Sequence, residues 1–170
     1  VLTPEAARRA GGLYSDTEFD LSALDAWRPG LAELGRSCTA PEWRQGGVIL
    51  LLWSALAEFL QRRELDRVVG CTSVSMQDGG HVAASLWARL QPAHLVEEAL
   101  RVSPRLPLPV ERLDSSLPVE APPLIKGYLR CGAQLLGPPA WDPDFAVADL
   151  PMMMDLARLP AAYRSRFIKR

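Results

Sequence analysis

The sequence predicts an α/β (α+β) fold, a mixed central sheet flanked by helices, and two observations carry that prediction. Short runs of strand length alternate along the chain with longer runs that have helical apolar spacing. The chain has 170 residues, of which 48% are hydrophobic and 23% charged, as expected for one globular domain with a core of its own. We therefore expect a single domain over residues 1–170 and find no internal repeat.

The chain opens with a predicted short helix from Thr3 to Ala10. Thr3 is a favoured N-cap, a proline suits the first helical position, and the glycine pair from Gly11 ends the helix. The next run, Leu13–Leu21, alternates loosely in hydrophobicity, which favours a strand. In such a strand alternate residues share one face, so three acidic side chains would lie together: Asp16, Glu18 and Asp20.

A second strand is predicted over Leu31–Cys38, with Glu33 on the same face as Leu31. Proline then breaks the pattern, and Val48–Leu60 has the apolar content of a helix, followed by basic residues that complement a helix C-terminus. The β-branched run Arg67–Val74 predicts a buried strand.

The second half begins with a predicted helix, His81–Leu90, after an Asp-Gly-Gly turn. Prolines cluster over 92–123 and indicate a long irregular excursion rather than a linker. Leu124–Ala133 is compatible with a strand, but its apolar spacing and the Gly132 stop signal favour a helix. Phe145–Leu156 is predicted to be the last strand.

Composition excludes several classes of function. Nineteen basic and twenty acidic residues leave no charge excess that would indicate a nucleic-acid partner. Three scattered cysteines without a CxxC pair suit reduced thiols in a cytoplasmic setting better than a disulfide framework. Two histidines without ligand spacing argue against a metal site. No run has the length of a membrane span.

Blocks that cover almost the whole chain, taken in order, carry a further signal: Tyr14–Leu21, Glu33–Cys38, Pro41–Arg44, Leu52-Trp53, Gly70–Ser73, Pro123–Ala133, Gly137, Pro139-Ala140, Asp142, Phe145 and Asp149. Together they resemble the ornithine N-acyltransferases of the GNAT superfamily, which make lyso-ornithine lipid. N-acyl amino acid synthases and, more distantly, acyl-homoserine lactone synthases are relatives. The resemblance implies a GNAT-like sheet, and further strands and helices of that fold before Val1.

The resemblance also implies a reaction. A (3-hydroxy)acyl chain would pass from the phosphopantetheine of acyl carrier protein to the α-amino group of ornithine, with no bound cofactor and with acyl coenzyme A as the other candidate donor. Two alternatives stay open: another amino acid acceptor, or a non-catalytic GNAT-like module that binds acyl carrier protein or a membrane. The expected location is cytoplasmic, and the basic, apolar-interleaved tail would suit peripheral contact with the inner face of the membrane.

Glu33 and Arg36 are the expected catalytic residues. The matching motif of the relatives places a carboxylate beside the reacting centre, so Glu33 is predicted to act as the base or to bind the ammonium group. The alternative is that Glu33 only pairs with Arg36 or another cation. Arg36 is expected to organise the acidic cluster or the substrate carboxylate, unless it is an ordinary surface arginine.

For substrate binding we expect carboxylates to meet the second ammonium group of ornithine, and the candidates are Glu18 and Asp20; for Asp16 a solvated turn is the preferred interpretation. Ser73 is expected to bind the pantetheine or its sulfur. The alternative is that its hydroxyl only forms a hydrogen bond within the core. Lys126 and Tyr128 would meet the carrier protein or the substrate carboxylate, unless they are the solvated edge of an amphipathic helix.

The loop before the third predicted helix is the expected phosphopantetheine site, because helix N-termini bind phosphate. Its residues only partly match the GNAT coenzyme A loop: Arg44, Gln45, Gly46 and Gly47. An ordinary helix start is the alternative. Met152, Met153 and Met154 are compatible with an acyl tunnel, although core packing is the simpler interpretation. Cys71 is expected to be a packing residue.

Overall fold

The computed structural model describes residues 1–37, 40–43, 47–161 and 163. Its helices are α1 Pro4–Ala10, α2 Ser15–Glu18, α3 Val48–Arg62, α4 His81–His94 and α5 Pro123–Arg130. Its strands are β1 Phe19–Asp20, β2 Leu31–Glu33, β3 Arg67–Ser75, β4 Ser103–Pro104, β5 Gln134–Leu135, β6 Ala140–Asp142 and β7 Val147–Asp155. Short 3₁₀ turns and one nine-residue 3₁₀ segment, Ser22–Gly30, connect several of them.

The central sheet is built on the antiparallel pair β3 and β7, which matches nine residues of each strand from Arg67 opposite Asp155 to Ser75 opposite Val147. On one side of this pair β2 runs parallel to β3, and on the other side β5 and β6 pair with β7. A separate small sheet joins β1 to β4. Helices lie over a mixed sheet, which confirms the predicted fold class.

The two faces of the sheet bury different cores. Leu31, Val69 and Met153 point to one face, here called the first face, where they pack with Phe19 and other buried residues. The alternate positions point to the second face, towards α3, α4 and α5: Ala32, Val68, Val74, Ala148, Leu150 and Met152. Because side chains alternate along a strand, successive residues of β3 and of β7 point to opposite faces of the sheet.

Four of the predicted elements form as local chemistry indicated. Thr3 caps α1 by accepting a hydrogen bond from the Ala6 amide at 3.3 Å, and Gly11 follows the helix with a φ of 87°. The helices α3 and α5 and the strand β3 fall where the sequence placed them. The helix α4 runs past its predicted end at Leu90 to His94 and holds Pro92 in its last turn.

Two predicted strands are wrong in extent. Over Leu13–Leu21 the chain forms the short helix α2 and only the two residues of β1, so Asp16, Glu18 and Asp20 do not share a strand face. Carboxylate oxygens accept hydrogen bonds from the backbone amides at the start of this segment. These bonds hold a turn, so the amides do not pair with a neighbouring strand. The strand predicted over Leu31–Cys38 ends at Glu33, and Cys38 lies outside the described residues.

Among the described residues, none of the helices is both long and apolar enough to cross a bilayer.

Candidate functional site

A cavity of about 680 Å³ opens on the first face of the sheet, beside the point where β2 and β3 part. We call it the carboxylate cavity. Three of its wall residues are the acidic side chains Glu33, Asp142 and Asp149. Its other walls come from the chain start, the segment after β2, alternate residues of β3, and the β6–β7 region: Val1, Leu2, Tyr14, Leu34, Gly35, Arg36, Cys71, Ser73, Phe145 and Val147.

The cavity exists because two parallel strands diverge. The pairing of β2 with β3 ends at Glu33 opposite Val69, and the Leu34 amide makes one more bond to the Val69 carbonyl at 2.9 Å. From there β3 continues to Ser75 with no partner strand on that edge among the described residues. At the point of divergence the Leu34 carbonyl oxygen lies only 2.3 Å from where a Cβ on Gly70 would stand. Glycine therefore permits the close approach that starts the opening.

Glu33 is almost fully buried, at 4% exposure, and both of its carboxylate oxygens are occupied. One oxygen accepts the Tyr14 amide at 2.7 Å, and the other accepts the Ser15 amide at 2.7 Å and the Ser15 hydroxyl at 2.5 Å. These donors stand at the start of α2, where free amide groups favour an anion. Glu33 therefore fixes α2 against the strand, and its partner is this turn rather than Arg36.

Two of these acidic wall residues, Asp142 and Asp149, lie close to a further carboxylate, that of Glu18. The oxygens of Glu18, Asp142 and Asp149 lie within 4.8 Å of one another. Asp142 is 4% and Asp149 2% exposed. The Tyr14 hydroxyl donates to Asp142 at 3.0 Å, and the Ser73 hydroxyl donates to Asp149 at 2.6 Å. We call Glu18, Asp142 and Asp149 the acidic cluster.

The surroundings of the acidic cluster disfavour the charged forms of Glu18 and Asp149. Burial raises the pKa of Asp149, and the nearby Asp142 raises it further. Burial also raises the pKa of Glu18, again with Asp142 contributing. None of the three carboxylates takes part in a salt bridge within the part of the chain that the structure describes. Close oxygen ligands of this kind suit a cation, either a hard metal ion or an ammonium group.

The other predicted site residues divide into two groups. Ser73 and Arg36 line the carboxylate cavity, with Arg36 exposed and at a φ of 53°. Asp20 is exposed and accepts the Ser22 amide at 3.0 Å, outside the acidic cluster. Lys126 and Tyr128 lie on α5, away from the lining of the carboxylate cavity.

Those two α5 residues have other partners. Lys126 forms a salt bridge with Glu120, and the Tyr128 ring stacks on Trp53 with 5.4 Å between centroids. Of the predicted phosphopantetheine loop the structure describes Gly47, the residue before the first turn of α3. Arg44, Gln45 and Gly46 lie outside the described residues, and their role stays a prediction.

Asp16 serves a structural purpose. Its carboxylate pairs with Arg28 at 2.6 Å and accepts the Leu13 amide at 2.8 Å, so it anchors the turn before α2. The bond to Arg28 lowers the pKa of Asp16. This location agrees with the interpretation of Asp16 as a turn residue rather than a ligand for substrate.

Sequence reasoning assigned no role to Tyr14, Asp142 or Asp149. A signal for Asp149 was present, because an acidic residue sits between the apolar Ala148 and Leu150 in a predicted strand, where burial without a purpose is unfavourable. Tyr14 and Asp142 belong to the blocks that carry the family resemblance, but no local pattern indicated that they would meet in the folded chain.

Cys71 lines the carboxylate cavity, with its sulfur 3.6 Å from the Ser15 hydroxyl. Burial, reinforced by the charge of Asp149, raises the pKa of the Cys71 thiol to about 12. A thiol with that pKa is protonated at neutral pH and is a poor nucleophile. The raised pKa supports the expectation that Cys71 is a packing residue rather than a nucleophile.

Comparisons with known proteins agree with this architecture. The acetyltransferase (GNAT) domain family matches residues 1–54. The L-ornithine N(alpha)-acyltransferase of Rhodobacter capsulatus is 34% identical over 177 aligned residues, which cover 100% of this chain and 68% of that protein. Proteins with the same name from Agrobacterium fabrum and Brucella abortus are each 31% identical, over 98% and 96% of this chain.

The chain is shorter than these relatives: it spans 60% and 61% of the Agrobacterium and Brucella proteins. No solved structure matches it.

Proposed function

Since the chain belongs to the L-ornithine N(alpha)-acyltransferase family of GNAT proteins, we propose that it transfers a 3-hydroxyacyl chain to the α-amino group of ornithine. The proposed donor is the phosphopantetheine thioester of acyl carrier protein, and the proposed product is lyso-ornithine lipid. One observation carries the proposal. An acidic cluster, in which Asp142 and Asp149 are buried and Glu18 half-buried, has no salt-bridge partner among the described residues and lies beside the opening of a parallel strand pair.

The acidic cluster suits the side-chain ammonium of ornithine. Glu18, Asp142 and Asp149 lie close together and form no salt bridge within the described residues, and burial raises the pKa of Asp149, so its charged form lacks a stabilising partner. A bound ammonium group would replace lost water with charge-assisted hydrogen bonds. The cluster therefore favours an acceptor with a second cationic group over a neutral amino acid.

The free edge of β3 suits the donor. A strand edge presents backbone amide and carbonyl groups that an extended ligand can bond. A pantetheine arm is extended and carries amide groups of its own. In this proposal the arm lies along β3 beyond Val69, with its phosphate towards the start of α3 near Gly47.

The reaction then needs little from the protein beyond placement. The α-ammonium of ornithine loses a proton to water or a nearby carboxylate, and the free amine attacks the thioester carbon. The tetrahedral intermediate collapses with cleavage of the carbon–sulfur bond. The nitrogen loses its second proton as the amide forms, and the carrier thiolate takes up one proton.

Glu33 acts as a positioning residue in this proposal. Its oxygens already accept three hydrogen bonds from Tyr14 and Ser15, so they are engaged in holding α2. By fixing the start of α2, Glu33 places Glu18 at the end of that helix beside the acidic cluster. This revises the base role that the sequence suggested.

The test is release of carrier thiol by the protein produced from its complete coding sequence. With 3-hydroxyhexadecanoyl carrier protein, we expect thiol release and N-acyl ornithine by mass spectrometry. Norvaline has the same carbon chain without the second ammonium, and the rate of thiol release with it should be at least tenfold lower. Equal rates with norvaline would point to another acceptor. No release with any amino acid would instead favour a non-catalytic binding module.

A further inference from the structure

Two exposed aromatic side chains line the carboxylate cavity. Tyr14 is 43% exposed and Phe145 is 62% exposed. Tyr14 immediately precedes α2, whereas Phe145 lies in the turn between β6 and β7, so the two rings come from segments far apart in the chain. Aromatic side chains that face a cavity together with a few polar groups are typical of sites for small ligands.

The buried carboxylate of Asp142 holds both segments. One of its oxygens accepts the Tyr14 hydroxyl at 3.0 Å, and the other accepts the amides of Asp144 at 2.9 Å and of Phe145 at 3.1 Å. Because Asp142 is 4% exposed, water competes little for these bonds. One member of the acidic cluster therefore sets the position of the Tyr14 ring relative to the Phe145 backbone.

Tyr14 is anchored at both ends. Its amide donates to Glu33 at 2.7 Å, and its hydroxyl donates to Asp142. Burial and the bond to Asp142 raise the pKa of Tyr14, so the hydroxyl remains protonated and continues to donate at neutral pH. The Tyr14 ring is thus a fixed wall of the carboxylate cavity.

Phe145 is anchored by its backbone, and its ring has no polar atom that could fix it. The turn that carries it is well defined, since the Met76 amide donates to the Ala146 carbonyl at 3.0 Å and Ala146 has a φ of 52°. An exposed side chain on a fixed backbone can change rotamer at little cost. The cavity therefore has one fixed aromatic wall and one movable aromatic ring.

Resting on the proposed function, we propose that Tyr14 and Phe145 form an aromatic clamp on the hydrocarbon side chain of the acceptor amino acid. The side-chain ammonium binds the acidic cluster, and the methylene groups lie against the Tyr14 ring. Phe145 then turns over the methylene groups from the solvent side. Phe145 is a specificity-determining residue in this proposal, because its ring contacts the acceptor.

Closure of the clamp has two physical effects. It removes the apolar surface of the acceptor and of both rings from water. It also excludes water from the ammonium and the acidic cluster, and charge pairs away from water are screened less by solvent and salt. The clamp therefore favours an acceptor with a hydrocarbon side chain, and the acidic cluster favours one that ends in an ammonium.

Steady-state kinetics with 3-hydroxyhexadecanoyl carrier protein test the clamp. In Phe145→Ala we expect KM to rise about tenfold for both ornithine and norvaline, because both lose the same contact with hydrocarbon, while kcat stays nearly constant. Phe145→Leu keeps apolar surface and should restore most of the affinity. The matched control is Trp141→Ala, which removes an exposed aromatic side chain of β6 that is absent from the cavity lining. Unchanged KM in Phe145→Ala would overturn the proposal.

Salt dependence tests the closure itself. If Phe145 shields the ammonium and the acidic cluster, KM for ornithine should increase more steeply with sodium chloride concentration in Phe145→Ala than in wild type. Trp141→Ala should follow wild type. The same salt dependence in wild type and Phe145→Ala would show that Phe145 does not close over the charged groups, and would overturn the clamp.

The two proposals can fail separately. Calorimetric titration of ornithine into the protein, with free carrier protein present, measures binding without reaction. Ornithine binding that weakens in Phe145→Ala, without transfer to any amino acid, would support the clamp and overturn the proposed reaction. Transfer to ornithine with equal KM in wild type and Phe145→Ala would support the reaction and overturn the clamp.

Discussion

The Glu33 carboxylate accepts two hydrogen bonds from Ser15, one from its amide at 2.7 Å and one from its hydroxyl at 2.5 Å. A strand residue thereby fixes the first turn of a helix that precedes it in the chain. That helix carries Glu18 to the acidic cluster. The contact links the stability of the fold to the shape of the acceptor site.

Glu33→Gln should therefore destabilise the protein by about 1–3 kcal/mol, because an amide nitrogen would face backbone donors that need an acceptor. The measurement is urea denaturation. Ser15→Ala, which removes only the hydroxyl, should lose about 1 kcal/mol. We expect KM for ornithine to rise in both variants as Glu18 shifts. A Glu33→Gln protein with unchanged stability and abolished turnover would restore Glu33 as the base.

Removing charge from the acidic cluster should weaken ornithine binding. Asp142→Asn and Asp149→Asn each retain a hydrogen-bonding group but lose the charge that pairs with an ammonium. We expect kcat/KM for ornithine to fall about 10- to 100-fold, as for a lost charged hydrogen bond, with little change for norvaline. The matched control is Glu111→Gln, an exposed site outside the cavity. Equal decreases in kcat/KM for ornithine and norvaline would show that the acidic cluster does not bind the side-chain ammonium of ornithine.

Two aspartates should respond oppositely to pH. The pKa of Asp149 is raised in the folded protein, so its ionisation opposes folding as pH rises through that pKa. Asp149→Asn should therefore gain about 0.5–2 kcal/mol of stability at pH 7, and the gain should vanish in acid, below the unfolded pKa of about 4. Thermal unfolding from pH 3 to 7 measures it.

The pKa of Asp16 is lowered, chiefly by its bond to Arg28. Its contribution to stability is present above the unfolded pKa and is lost as pH falls through the lower folded value. Asp16→Asn should therefore cost about 1 kcal/mol at pH 7, since the pair is partly exposed, and progressively less in acid. The same pH dependence in both aspartate variants would contradict these assignments.

Cys71→Ala should keep acyl transfer within about threefold of wild type. A thiol with a pKa of about 12 does not supply thiolate at neutral pH, so direct attack by the amine is expected. The check is steady-state thiol release together with mass spectrometry of the intact protein during turnover. An acylated Cys71 peptide, or complete loss of activity in the alanine variant, would establish a covalent route.

Gly70→Ala should disturb the opening between β2 and β3. Its new methyl group would lie 2.3 Å from the Leu34 carbonyl oxygen, so the strands must shift, at a cost of about 1–3 kcal/mol. Denaturation measures this, with Gly35→Ala as the control, because a Cβ at Gly35 meets no atom within 4 Å. Equal stability of the two variants would show that the close approach is not required.

Local patterns predicted the elements whose stability is mostly local or periodic. Thr3, Pro4 and Gly11 define α1 by capping chemistry, and the apolar content of α3 and the β-branched run of β3 give their types directly. The strand prediction for the segment after Gly12 was wrong for a physical reason. Its alternation suggests a strand, but Glu33 and Asp16 supply acceptors for its amides and hold a turn. Glu33 does so from a distant position in the chain.

The sequence by itself determined the fold class and the family, because these follow from short-range patterns and motif order. Tertiary structure alone decided that Glu18, Asp142 and Asp149 meet, and that Glu33 braces a helix. Strand pairing and alternation choose the face on which each side chain emerges. Those choices depend on partners far apart in the chain.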